Sequence, residues 1–268
     1  MSLFRHRRLW LLLAIPPLVL VTAGAIVFWP RGSTPVSPEE ALAEFRSRQP
    51  DPDTEAATGW PAEGVYTYEA SGSEEVKLAV MPTETREIPP VVPATVLRDG
   101  RGRCFELQIE FMAEHVEQTR YCLEEDASLV LEQNRKQQRI GALRPQATMD
   151  CEDATLLSDL PTNGEASTYS CVLAMSSGLG PTVDARLQGR VRVVGSERIE
   201  IGDGAVEAVH VQIRYDVSGD LTGGWAEDLW FDPASHLPVR IGREIELSGL
   251  ANFHESSLLN LSALEPSN

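Results

Sequence analysis

Apolar and polar residues alternate with a period of two through most of the chain beyond residue 65. In Phe105, Leu107, Ile109 and Phe111 the apolar positions are separated by Glu106, Gln108 and Glu110, the pattern of a strand with one buried face. Residues 116–122 are set to return antiparallel to it about a tight turn at Met112-Ala113-Glu114. The symmetric register then places Cys104 opposite Cys122 and Glu106 opposite Arg120. Further strands are predicted over residues 65–70, with 76–81 as hairpin partner beyond Ser71-Gly72-Ser73, and over 94–98, 128–138 and 168–175. Residues 82–93 hold four prolines and read as an irregular loop or a sheet edge, while 139–149 fits either a strand or a short helix. The last third is a meander of long strands. Residues 182–194 put Val183, Ala185, Leu187, Val191 and Val193 on one side, and 206–217 do the same with Val209, Val211, Ile213 and Tyr215. A turn at Gly223-Gly224 leads into strands at 225–231, 237–250 and 253–264. The predicted class is therefore mainly β.

Two stretches break the alternation. Residues 9–29 form an uncharged run of 21 residues, twelve of them Leu, Ile, Val or Phe. At 1.5 Å per residue a helix of that length spans roughly 31 Å, the thickness of a bilayer core. Arg5, Arg7 and Arg8 precede the run and only Arg31 closely follows, so the positive-inside rule leaves residues 1–8 in the cytoplasm and the remainder outside. This predicts a single-pass cell-membrane protein with an extracytoplasmic C-terminal part. The alternative is secretion after signal-peptide cleavage at Ala23-Gly24-Ala25. The second stretch is a helix over 38–48, with Ser37 as N-cap, Pro38 at the first helical position and Glu40 closing a capping box. Ala41, Leu42 and Phe45 share one of its faces. Residues 30–59 thus read as a stalk made of this helix and a linker, and residues 60–266 as one extracytoplasmic β domain.

All 40 acidic residues lie beyond Arg31, against 19 of the 23 basic ones, so that part carries a formal charge of −21. A field of that sign argues against nucleic acid as a partner. Cys104, Cys122, Cys151 and Cys171 make an even set, which outside the cytoplasm reads as disulfides. The strand register favours Cys104–Cys122, and the turn signal Asn163-Gly164 brings Cys171 back to Cys151. No two cysteines have the spacing of a structural zinc knuckle, and Asp150, Glu152 and Asp153 lack a regular oxygen-ligand spacing, so no metal or cofactor site is predicted. Arg186, Arg190 and Arg192 form a row that carboxylates of a neighbouring strand would pair. His115, His210, His236 and His254 sit in no G-x-S-x-G, H-E-x-x-H or Cys/His signature, so no catalytic residue is assigned.

The stretch from Leu229 to Arg240, Leu-Trp-Phe-Asp-Pro-Ala-Ser-His-Leu-Pro-Val-Arg, resembles the strand–turn–strand tag of the lipoprotein-carrier-like superfamily. Its chemistry is legible, since Asp232 can bond its own turn, Pro233 presets the next position and Pro238 opens a strand where no ladder donor is needed. The resemblance implies a strongly curved antiparallel sheet, half-barrel-like, around a few short helices, with a concave side for acyl chains or partner proteins and no catalytic residues. Combined with the predicted anchor, it implies a stationary binding or adaptor module for a lipid-like ligand or an envelope protein. An envelope hydrolase and a purely structural or signalling partner are the alternatives.

Overall fold

The computed structural model describes residues 33–48, 59–78, 83–99, 103–158, 166–176, 182–249 and 251–268. Among these residues one helix, α1 (Pro38–Ser47), precedes fourteen strands. They are β1 (Gly64–Leu78), β2 (Glu84–Glu87), β3 (Val91–Arg98), β4 (Cys104–Met112), β5 (His115–Leu123), β6 (Leu129–Gln138) and β7 (Gln146–Glu152). β8 (Thr155–Leu157), β9 (Ser167–Ser176), β10 (Val183–Ile201), β11 (Gly204–Gly219), β12 (Leu221–Phe231), β13 (Pro238–Gly249) and β14 (Ala251–Leu261) complete the set. Most consecutive strands pair antiparallel, and β14 returns to pair with β1 from Tyr68↔Leu261 to Leu78↔Ala251. Twelve strands thus close into a barrel, while β2 lies on β1 and β8 on β6 as short additions.

Closure corrects the half-barrel. A half-barrel leaves two edges of unpaired N–H and C=O groups, and the β1–β14 ladder of eleven residue pairs removes them. Residues 71–73 are not a turn: β1 runs through them for fifteen residues, because Gly72 takes φ +126° and bends the strand without reversing it. A Cβ there would stand 2.0 Å from the Ser256 carbonyl oxygen of β14, so only glycine permits this seam. Residues 76–78 accordingly continue β1 rather than pair with it. Gly223-Gly224 likewise lies inside β12, and the chain turns at Gly219-Asp220. Part of the proline-rich stretch is ordered as β2 and β3, where Pro93 is paired with Thr67. The ambiguous stretch 139–149 resolves into a small turn bridged by Ile140 and Leu143, followed by β7.

The few short helices reduce to one among the described residues, and it does not fill a concave face. Its capping box forms as read, Glu40 N donating to Ser37 Oγ and Ser37 N to the Glu40 carboxylate. Ala41 and Phe45 pack outside the main core against Val65, with Leu42 and Leu97 beside them. No helix among the described residues is long and apolar enough to cross a membrane. The spanning helix predicted at residues 9–29, and the Ala23-Gly24-Ala25 site within it, lie outside the described residues. The single-pass placement in the cell membrane and the membrane contact through that helix are therefore not supported by the structure. On β10 the barrel wall offers no lipid-facing band. Asp184, Arg186, Gln188, Arg190 and Arg192 point outward there, alternating with buried Val183, Ala185, Leu187, Gly189 and Val191.

Cross-strand register sets the two disulfides. Cys104 faces Cys122 across β4–β5, with Glu106 opposite Arg120, and Cys151 faces Cys171 across β7–β9. Both pairs are bonded. The tag hairpin forms too: Asp232 accepts hydrogen bonds from the backbone N–H groups of Ala234 and Ser235, and the Ser235 hydroxyl donates to it.

Candidate functional site

The lumen divides along the barrel axis. Toward the ends of β4 and β5 that carry the Cys104–Cys122 disulfide it is apolar and aromatic. Trp60, Phe105, Tyr121 and Phe231 form a chain of rings with centroids 5.6, 5.2 and 5.9 Å apart that runs from β4 to β12. Tyr68 lies fully buried beside them and donates to the Pro238 carbonyl at 2.6 Å. The long β10–β11 hairpin extends past β12 at this end and adds Ile199 and Ile201 to the same core, as β8 adds Leu156. Deeper in, Tyr169 donates to the Tyr215 hydroxyl at 2.8 Å, and Gly189 makes room for the Tyr169 ring, which a Cβ would meet at 2.7 Å.

The other half is a buried charge network, and it is the candidate site. Arg243 on β13 is its hub. Its Nε donates to Glu227 of the adjacent β12 at 2.8 Å, and its two terminal nitrogens reach across the lumen to Glu117 of β5 at 2.8 and 2.9 Å. Glu255 of β14 accepts from Arg243 at 3.3 Å and from Lys136 of β6 at 2.8 Å. Asn134 donates to both Glu117 and the Thr119 hydroxyl, and Ser257 to Glu255. The network continues through His115, whose Nδ1 is 2.7 Å from Glu74, to Arg86, which binds Glu74 at 3.0 Å and Glu84 of β2 at 2.5 Å. Arg86 also donates to the Arg139 carbonyl, closing the barrel at this end.

Charges survive here only because each is compensated; an isolated buried carboxylate would protonate instead. Burial pushes Glu117 upward, yet the Arg243 and Lys136 charges outweigh it and hold the carboxyl below its ordinary range. Glu255 is lowered against the same desolvation by Lys136 and Arg243, and Glu74 by His115 and Arg86. Lys136 is held above its ordinary value, burial being overcome by Glu255 and Glu117. Glu227 goes the other way. Burial raises it, Glu117 adds to the effect, and its contact with Arg243 does not fully offset them.

Where the apolar and charged halves meet, Thr119, Asn134, Glu227 and Arg243 face Leu107, Tyr121 and Ile213 around a void of about 10 Å³, room for roughly one water molecule.

Of the four histidines singled out from the sequence, only His115 belongs to this network. His210 is on the outer wall, 2.8 Å from Asp228 and stacked on Trp230. Trp230 in turn carries Arg240 on its ring and donates to Glu197 at 2.7 Å. His236 sits in the β12–β13 turn against the Gly59 carbonyl, and His254 is exposed on β14. Arg190 of the arginine row pairs with Asp216 of the neighbouring strand at 3.0 Å. Asp150, Glu152 and Asp153 remain at the surface around β7.

Sequence reasoning missed the network, although a signal for part of it is present. Glu227 stands between Trp225 and Leu229, and Arg243 between Ile241 and Ile245, each at the inward parity of its strand. The register makes the two direct cross-strand partners. On β5 the signal misleads, because the buried face is His115, Glu117, Thr119 and Tyr121 while Val116 points outward. Compared with family models, with curated proteins and with solved structures, the chain matches none.

Proposed function

We propose that the chain acts as an extracytoplasmic binding or adaptor module whose ligand is another envelope protein, recognised on the outside of the barrel. The observation that carries this reading is the close packing of the lumen where its two halves meet. Acyl chains need a chamber of hundreds of cubic ångströms, whereas the void where the apolar and charged halves meet is about 10 Å³ and its polar lining is already engaged in ion pairs. Recognition therefore falls to the outer wall, which is rich in charge and carries the partly exposed row from Glu197 through Trp230 and Arg240 to Asn260. The two disulfides suit an oxidising compartment.

Two measurements test it together. Photo-crosslinking in intact cells from a probe at position 230 should yield a discrete heteromeric adduct, and native mass spectrometry of the purified protein should show its bare mass. A stoichiometric lipid adduct without any crosslinked protein would overturn the proposal.

A further inference from the structure

The outer wall of the barrel is covered along a strip of β3 and β4. Between the inward-facing Ala94, Val96, Ile109 and Phe111 stand Thr95, Gln108 and Glu110, and these are buried as well. What covers them is the chain that precedes the barrel. The Thr34 carbonyl accepts from the Ala113 N–H just past β4, and the Thr34 N–H and hydroxyl donate to the Glu114 carboxylate at 2.8 and 3.1 Å. At the opposite end of the same strands, α1 packs on Val65 and Leu97. Residues 34–48 thus form a strap along the wall, fastened at both ends. The fastening is light. Ala41 and Phe45 are the buried side chains of α1, and their apolar cluster is separate from the core of the lumen. Arg46 adds a bond to the Asn268 carbonyl. A ten-residue helix does not hold its shape alone in water, so α1 is helical because it is docked.

Beneath the strap lies a carboxyl whose charge docking disfavours. Glu110 is 7% exposed, and the group that donates to it is a neutral amide, Gln108 Nε2 at 3.0 Å. The charged groups facing it are Glu40, Glu44 and Arg48 of α1. β5 sets Val116 beside it, and residues 91–95 of β3 bear no charge. Burial raises the Glu110 carboxyl above its ordinary value, Glu44 and Glu40 add to the effect, and Gln108 and Arg48 do not offset them. Glu114, at the other fastening, behaves oppositely. Burial would raise it, yet hydrogen bonds from Thr34 and Arg139 hold it below its ordinary range. We propose that residues 34–48 are a pH-operated strap, closed over the β3–β4 wall in acid and lifted from it toward neutral pH, with Glu110 as the sensing group and Thr34 as the pivot. A carboxyl raised in the docked state favours docking below its ordinary value and opposes it as pH rises through the docked one. Glu114, held low, keeps its bonds to Thr34 over that range, so the strap swings rather than leaves. Lifting uncovers Val65, Thr95 and Gln108. This inference is independent of the partner row, whose residues lie on β10 and on β12 to β14.

The test is hydrogen exchange on the full-length protein with its disulfides intact. It is read by mass spectrometry at pH about 5 and about 8, after correction for the intrinsic pH dependence of exchange. Protection of the α1 amides should fall severalfold at the higher pH, while the amides of β12 and β13 stay as protected as before. Glu110→Gln should keep α1 protected at both pH values. Phe45→Ala should expose α1 at both, again with β12 and β13 unchanged. Equal protection of α1 at the two pH values in the wild-type protein overturns the proposal. So does a pH response that persists in Glu110→Gln, or a parallel loss of protection across β12 and β13.

Discussion

Arg243 is the residue on which the interior depends most. It is 6% exposed and engages three carboxylates on three strands, two of them neighbours and one across the lumen. Removing a partner from a buried ion pair costs far more than the pair itself is worth, because the remaining charge is stranded. Arg243→Met should therefore lower the unfolding free energy by about 3–5 kcal/mol. Urea unfolding monitored by tryptophan fluorescence measures this directly. Adding Glu117→Gln and Glu227→Gln to that background should recover part of the loss. A neutral Arg243→Met would mean that water reaches the network and screens it.

At the scale of the element, two seams decide whether the barrel closes and holds. The first is β1–β14, where Gly72 carries φ +126° against the Ser256 carbonyl. Gly72→Val forces both a disfavoured backbone conformation and a steric clash. It should cost about 1–3 kcal/mol or more and lower the Tm in a thermal melt. The same substitution at Gly224, where an added Cβ meets nothing within 4 Å and φ is not positive, serves as the control. The second seam is β4–β5, stapled by Cys104–Cys122 across 18 residues of sequence. Replacing both cysteines by alanine should lower stability by about 2–4 kcal/mol. The same double variant should lose much of its sensitivity to reductant, leaving Cys151–Cys171 as the remaining reducible staple.

For the whole molecule, the internal network makes stability depend on pH in two opposed ways. Glu74, Glu117 and Glu255 are depressed below 4.5 in the folded state, so the stability they contribute is complete above that value and is lost as pH falls through their folded values. Glu227 is raised above 4.5, so its contribution is complete below that value and is lost as pH rises through its folded value. Three groups outweigh one on the acid side. Urea midpoints should fall steeply below pH about 4.5, and Glu227→Gln should gain in relative stability between there and neutrality. A flat profile down to pH about 3 would show that these carboxylates are not ionised in the folded protein.

Much of the fold was legible from the chain alone because its causes are local. The period-two alternation in Phe105–Phe111 and in residues 183–193 follows from a pleated backbone with one face in the core, and it placed the strands. The Cys104–Cys122 register followed from symmetry about a short turn, and the Ser37–Glu40 capping box from four adjacent residues. Closure was not legible, since nothing in β1 or β14 taken singly announces that they pair, from Tyr68↔Leu261 to Leu78↔Ala251, across the length of the chain between them. Local signals even misled at Gly72 and Gly223, where glycines that look like turns instead let two strands pass close together. The candidate site lay furthest from reach. Glu227 and Arg243 were visible as charges at inward positions, but His115, Glu117, Lys136 and Glu255 meet them only once the barrel is closed. Secondary structure is decided by neighbours in sequence, whereas the compensation of a buried charge is decided by neighbours in space, and here those lie up to 126 residues apart.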